Sequence, residues 1–186
     1  MKKLGFLMLL LAMAVMLGGT ALAVPVRSYL TTYYSNANTA NAPDATVRII
    51  NDGSTGANLW ASIYVFDDSE ELTECCSCLV TPDGLLSESV NNNLTANPIT
   101  GIKPTRGVIK VITSEVCGPT LGVVASGLHA FATHVQKLNS GFALTEDPFA
   151  DSNLSGSEEL LLYQLCYYDE ELSGKPCTCT PEDQDF

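Results

Sequence analysis

Seven cysteines are the residues of this chain whose type and spacing could do chemistry. Five of them fall in two short stretches, namely Cys75, Cys76 and Cys78 in the middle of the chain and Cys177 and Cys179 near its end. Cysteines grouped in this way form disulfides, bind soft metal ions or catalyse thiol exchange. The spacing within each stretch and the surrounding sequence distinguish these three chemistries.

Disulfides are the chemistry that the cysteine spacing favours. Structural zinc sites prefer pairs of the form Cys-x2–4-Cys, which Cys75 and Cys78 satisfy but the tighter pair Cys177 and Cys179 does not. A redox Cys-x-x-Cys motif needs a helix N-terminus to stabilise the thiolate, whereas Leu-Val-Thr-Pro-Asp-Gly after Cys78 predicts a strand and a turn. A soft-metal site and a redox site therefore remain as alternatives behind disulfides.

The alternation of a β-strand gives a first hypothesis for the disulfide pairing. On a strand Cys76 and Cys78 share one face, and Cys75 points to the other face. We predict that one or two disulfides join this stretch to the Cys-x-Cys near the chain end. Each bridge closes a long loop and so stabilises the fold by roughly 4–5 kcal/mol. Cys117 and Cys166 are candidates for a third bridge, from a loop to a helix. Seven cysteines with one left over allow about 105 patterns, so the connectivity stays open.

The histidines give little support for catalysis. His129 and His134 are five positions apart, so on a strand they face opposite sides and are poorly placed to share a metal ion. The chain contains no Gly-x-Ser-x-Gly elbow, no His-Glu-x-x-His motif and no phosphate-binding glycine loop. We therefore predict no catalytic residues and no cofactor, and a hydrolase with a Ser, a His and an acid from distant segments is the least favoured function.

One acidic stretch is a weak candidate for calcium. Asp67, Ser69 and Glu71 have the oxygen spacing of positions 1, 3 and 5 of a calcium loop. Leu72 stands where an EF-hand needs glycine, and Cys78 stands where it needs glutamate. A solvated acidic turn is the simpler prediction for this stretch.

The first 23 residues have the features of a secretory signal peptide. Lys2 and Lys3 precede an apolar run over residues 4–17, and Ala21 and Ala23 form the small-residue pattern cut by signal peptidase. A retained membrane anchor is the alternative. Cleavage after Ala23 predicts export to the periplasm, the cell surface or the medium, where oxidising conditions favour disulfides.

The charge of the chain restricts its partners. Nine Lys and Arg residues stand against 21 Asp and Glu residues, giving a net charge of −12. The net charge becomes −14 once Lys2 and Lys3 are removed with the signal peptide. We therefore expect no nucleic-acid partner, and no later stretch is apolar for long enough to cross a membrane.

Regularly spaced short strands separated by turn signals predict an all-β fold. Residues 59–66 are the clearest strand and are apolar on both faces, which predicts a central strand with packing on each side. About eight such strands indicate an antiparallel β-sandwich, Ig-like or jelly-roll-like, and residues 121–125 are among the predicted strands.

One helix is predicted near the end of the chain. Residues 151–155 lead into it, and Ser155 with Glu158 matches a capping box. We expect the helix over about residues 155–171, ended by Gly174 and Pro176. One domain then spans residues 24–180, and residues 181–186 form an acidic tail.

Most of the chain after residue 23 resembles uncharacterised secreted bacterial proteins of acidobacterial type, including their Cys-x-Cys ending. The resemblance is carried by Val-Arg-Ile-Ile-Asn at 47–51, Ile-Tyr-Val-Phe-Asp-Asp at 63–68, Glu-Cys-Cys-Ser-Cys at 74–78, Thr-Pro-Asp-Gly-Leu at 81–85, Ser-Val-Asn-Asn-Asn-Leu at 89–94 and Arg-Gly-Val-Ile-Lys at 106–110. It implies export and a cysteine-stapled domain, and it implies no particular activity.

Two functions fit these observations better than catalysis. The first is a structural or adhesive protein of the cell surface or extracellular matrix, which associates with itself or with a surface partner. The second is a periplasmic or surface module that binds a small ligand, a glycan or a cation such as calcium.

Overall fold

A computed structural model of the protein describes residues 28–117, 124–173 and 179. The described residues form nine strands and one α-helix, α1, over Gly156–Ser173. The strands are β1 Ser28–Ser35, β2 Thr46–Asn51, β3 Leu59–Asp67, β4 Leu72–Val80, β5 Leu85–Ser89, β6 Arg106–Ser114, β7 Leu128–Leu138, β8 Gly141–Pro148 and β9 Ala150–Asn153. One π-helical turn, Val90–Leu94, follows β5.

The strands make two antiparallel sheets. The larger sheet has the order β4-β3-β6-β1-β9, and the smaller sheet has the order β5-β2-β7-β8. Every pairing between neighbouring strands is antiparallel. The predicted antiparallel sandwich with one C-terminal helix is therefore confirmed, and its Ig-like or jelly-roll-like subtype stays a prediction.

The main core lies between the two sheets. Alternate residues of β3, including Leu59, Ile63 and Val65, are fully buried against residues of the smaller sheet such as Val47 and Ile49. Burying a side chain of this size stabilises a fold by about 1.5–3 kcal/mol. The alternation of β3 thus directs one complete row of apolar side chains into this core.

A second, smaller core lies on the outer face of the larger sheet. Tyr64 and Cys75 of the sheet pack with Leu162 and Cys166 of α1. Strand β3 therefore carries packing on both faces, as its two apolar faces predict. The helix begins at the predicted cap, because the Glu158 amide donates a hydrogen bond of 3.1 Å to Ser155 Oγ.

The approach to the helix differs from the prediction. Residues 151–155 are predicted to lead into the helix, but Ala150–Asn153 form β9 and pair with the first half of β1. The chain crosses from the smaller sheet to the larger one at Phe149, which is buried. The four residues of β9 are polar or small, so their local preference for a helix is weak. Pairing with β1 and burial of Phe149 outweigh that preference.

Several predicted segments lie outside the described residues. These are the signal peptide over residues 1–23, the acidic tail over residues 181–186, the helix end at Gly174 and Pro176, and most of the strand predicted at 121–125. Ala125, the last residue of that predicted strand, is not in a strand. Among the residues that are described, no helix combines the length and apolar character needed to span a bilayer.

Candidate functional site

Between described residues, two disulfides join later parts of the chain to β4. Cys75 is bonded to Cys166 of α1 with a Cα–Cα distance of 5.5 Å, and Cys78 is bonded to Cys179 with a Cα–Cα distance of 5.6 Å. Cys76 is also disulfide-bonded. The bridge from Cys78 to Cys179 joins the middle of the chain to its end, as predicted.

The predicted bridge between Cys117 and Cys166 is wrong. Cys166 lies on the face of α1 that packs on the larger sheet, where Cys75 points towards it. Cys117 lies exposed on the turn after β6. The position of α1 over the sheet decided this pairing, and Cys177, the other predicted partner for the middle stretch, lies outside the described residues.

The disulfides hold both faces of an edge strand. Cys75 belongs to the outer core and Cys78 to the core between the sheets, as strand alternation predicts. Because β4 ends the larger sheet, one bridge ties the helix to this edge from outside and the other ties Cys179 to it from inside. Bridges on both faces therefore anchor β4 to two later segments of the chain.

The weak calcium candidate is a hydrogen-bonded turn. Asp67 Oδ1 accepts from the Ser69 amide at 2.8 Å and from the Glu71 amide at 3.0 Å. The carboxylate therefore satisfies the backbone of its own turn. In the part of the chain that the structure describes, no three His, Cys, Asp or Glu side chains come together as a metal site.

The two histidines have different surroundings. His129 Nε2 lies 3.2 Å from Asp52 Oδ2 at the surface. His134 is buried and stacks on Tyr33, with ring centroids 4.1 Å apart. Burial lowers the pKa of His134 below its ordinary value, and nearby Asp147 opposes this. His134 is thus a packing residue, and its Nδ1 makes no hydrogen bond to any described residue.

A cleft of about 270 Å³ lies beside His129, where the start of β7 passes the start of β1. Ser28, Ser126 and Asp151 line it together with His129, so a serine, a histidine and an acid do share one cleft. A triad hydrolase also needs a hydrogen bond from serine to histidine. Across residues 28–117 and 124–173, the His129 ring makes its hydrogen bond with Asp52 and not with a serine.

A larger cleft of about 480 Å³ lies between α1 and the larger sheet, and we call it the α1 cleft. Its apolar walls are Phe66, Val108, Leu161 and Leu165. Its polar lining residues are Asp67, Glu70, Lys110 and Glu158. The volume falls in the range of ligand pockets, which is about 300–1,000 Å³.

Lys110 neutralises one of the three carboxylates that line the α1 cleft. Its ammonium group pairs with Glu158 and lies 5.2 Å from the ring centroid of Phe66 and 5.5 Å from that of Tyr29. Two aromatic faces and one carboxylate therefore satisfy this cation. The carboxylates of Asp67 and Glu70 are left as the uncompensated charges of the lining.

Glu74 is a buried carboxyl on the strand that carries the disulfides. It lies opposite Val65 in the register of β4 and β3 and is only 4% exposed. Burial, reinforced by the negative charge of Asp169, raises the pKa of Glu74 to about 7. This carboxyl therefore titrates near neutral pH, where its ionisation opposes the packed state.

Sequence reasoning found the cysteines of this region and missed the α1 cleft. Its residues come from β3, the turn after it, β6 and α1, which are far apart in the chain. The one local signal is Lys110, a charged residue between the core residues Ile109 and Val111. Strand alternation predicts that such a lysine faces away from the core, but not that a helix covers it.

Comparisons with known proteins add little. No family model matches the chain, and no curated protein matches it. A solved structure described as the crystal structure of Thermotoga maritima 1070 aligns with a TM-score of 0.43 and 10% identity. The alignment covers 70% of this chain and 97% of that chain. A likeness at this TM-score carries no argument about this protein.

Proposed function

We propose that this chain is an exported, non-enzymatic structural or adhesive protein that associates with itself through the open edge of β8. The observation that carries the proposal is the exposure of β8, an eight-residue strand at the end of the smaller sheet. A long exposed edge strand presents backbone groups that pair readily with another chain. Export rests on the signal-like residues 1–23 and on the disulfides.

The hydrogen-bond pattern identifies which backbone groups of β8 face outwards. The Phe149 amide donates to the Ala130 carbonyl at 2.8 Å, in the same register as the β7–β8 pairs. Hydrogen-bonded and non-hydrogen-bonded pairs alternate along antiparallel strands. Leu144, opposite Val135, therefore directs its N–H away from β7.

Two contacts of Val135 agree with this assignment. The Val135 carbonyl accepts from Ser35 Oγ at 2.8 Å and from Asn36 Nδ2 at 2.7 Å instead of pairing with β8. Pro148, which has no N–H to donate, lies opposite Phe131 in a non-hydrogen-bonded pair, like Leu144 opposite Val135.

The other strand edges are less suited to pairing with a second chain. Strand β4 is mostly buried, while β5 and β9 have only five and four residues. Strand β8 combines eight residues with exposed side chains, including Leu144 at 52% exposure. An edge of this length supports association of copies by strand addition.

The test compares two substitutions that act on the same edge. Leu144→Pro removes one outward N–H while leaving the β7–β8 hydrogen bonds in place, and Leu144→Lys adds a charge that discourages edge pairing. Light scattering after size exclusion and negative-stain microscopy of the oxidised protein measure assembly. We expect concentration-dependent assembly of the natural chain and its loss in both variants.

Ile102→Lys is the matched control, because it adds the same charge at an exposed leucine-sized residue in a loop, away from every strand. We expect this variant to assemble like the natural chain. A protein that stays monomeric at high micromolar concentration, or assembly that survives Leu144→Pro with an unchanged thermal midpoint, contradicts the proposal.

A further inference from the structure

We infer that the α1 cleft is a binding site for a small organic cation, namely a primary ammonium group on an apolar body. The inference goes beyond the proposed function, because the cleft and the β8 edge lie on different sheets. It rests on the shape of the cleft, its apolar walls and the sign of its uncompensated charge.

The walls of the cleft fit an apolar ligand body. Phe66 and Val108 form the sheet side, and Leu161 and Leu165 form the helix side. Val108 is 38% exposed and Leu161 is 47% exposed, so both keep apolar surface open to a ligand. A ring or short alkyl chain between these walls buries apolar area on both of its faces, which favours binding.

The charges of the cleft select a cationic ligand. Lys110 is compensated by Glu158, which leaves the carboxylates of Asp67 and Glu70 to set the sign of the lining. Asp67 already accepts two backbone hydrogen bonds, so Glu70 is the carboxylate best able to pair with a ligand. The net charge of −12 for the whole chain adds attraction for cations and repulsion for anions.

The backbone holds Glu70 in an unusual conformation beside the cleft. Its φ is +67°, in the left-handed region that residues other than glycine seldom adopt. The turn is closed by hydrogen bonds from the Glu70 amide to the Asp67 carbonyl and from the Asp67 amide to the Glu71 carbonyl. The turn thus holds the backbone of Glu70 beside the cleft, where its exposed side chain can reach a ligand.

Charge also argues against a second copy of this chain as the occupant. The uncompensated side chains of the lining are Asp67 and Glu70, and the whole chain carries a net charge of −12. Two copies meeting at this cleft would bring acidic surfaces together, which is unfavourable. A small cation is therefore the occupant that the lining favours.

The test uses three probes of the same shape and different charge. These are 2-phenylethylammonium, neutral 2-phenylethanol and anionic 3-phenylpropionate, each titrated into the oxidised full chain and followed by calorimetry and amide chemical shifts. We expect millimolar or tighter binding of the ammonium probe, weaker binding of the alcohol and weakest binding of the carboxylate. Equal binding of all three probes, or no binding of the ammonium at millimolar concentration, overturns the inference.

Two neighbouring helix residues provide a matched pair of variants. Leu161→Arg places a cation on the wall of the cleft, whereas Leu160→Arg places the same cation one position away, on a residue that does not line it. The two leucines are similarly exposed, at 47% and 44%. We expect Leu161→Arg to abolish binding and Leu160→Arg to weaken it far less, with similar thermal midpoints for both. Equal loss of binding in the two variants overturns the inference.

Glu70→Gln tests the charge directly without changing shape. Exposed ion pairs contribute modestly, so we expect about a fivefold loss of affinity for the ammonium probe and no loss for the alcohol. Unchanged affinity for the ammonium contradicts the role given to Glu70.

Discussion

The buried carboxyl of Glu74 predicts that the protein loses stability as the pH rises through neutrality. In an unfolded chain this carboxyl has an ordinary pKa of 4.5, whereas in the fold burial and Asp169 raise the pKa to about 7. Between these two pKa values the folded state binds more protons than the unfolded state. The free energy of unfolding therefore falls as the pH rises across this window.

The size of the effect follows from the two pKa values. Each pKa unit corresponds to about 1.4 kcal/mol, so the shift of Glu74 amounts to about 3 kcal/mol across the whole window. Glu74→Gln removes this titration, since glutamine is neutral at every pH used. Relative to the natural chain, the variant should gain about 3 kcal/mol of stability between about pH 4 and about pH 8.5.

Urea unfolding of the oxidised protein, followed by the fluorescence of the single residue Trp60, measures this difference. His134 titrates in both proteins, so its contribution cancels in the comparison. Asp169→Asn is the control background, because it removes one of the two causes of the shift, and there the gain should be smaller. A difference between Glu74→Gln and the natural chain that does not change with pH refutes the reasoning.

Three further predictions concern stability and use the same urea assay. Replacing both Cys75 and Cys166 by alanine should cost about 4 kcal/mol, since their bridge closes a loop with a sequence separation of 91. A cost below about 1 kcal/mol contradicts this. Gly107→Ala should cost at least about 2 kcal/mol, because a Cβ there would lie 1.8 Å from a carbonyl oxygen of β3. Gly156→Ala, which meets nothing within 4 Å, is its control and should leave stability nearly unchanged. Ser155→Ala should cost about 1 kcal/mol through the lost helix cap, and an unchanged urea midpoint contradicts that role.

The sequence predicted the secondary structure well where one local signal dominated. Strand alternation in β3 marked a central strand with two apolar faces, and Ser155 with Glu158 marked the start of α1. Alternation also placed Cys75 on one face of β4 and Cys78 on the other. These features depend on neighbours within a few residues, which is the information that a sequence pattern carries.

The sequence predicted less where distant segments compete. Residues 151–155 were expected to lead into the helix, but pairing with β1 made Ala150–Asn153 a strand. The bridge of Cys166 depended on which strand lay beneath α1, and no local pattern contains that choice. The same holds for the pKa of Glu74, since its burial and its neighbour Asp169 exist only after α1 has packed on the sheet.

By itself the sequence determined a signal-like start, an acidic surface, a two-sheet strand pattern with one late helix, and enough cysteines to staple it. Only the tertiary structure decided which cysteines meet, where a cleft opens and which strands lie at the ends of the two sheets. The reason is physical: alternation and capping act between residues a few positions apart, whereas clefts, bridges and edges arise where segments tens of residues apart are brought into contact by burial of the two cores.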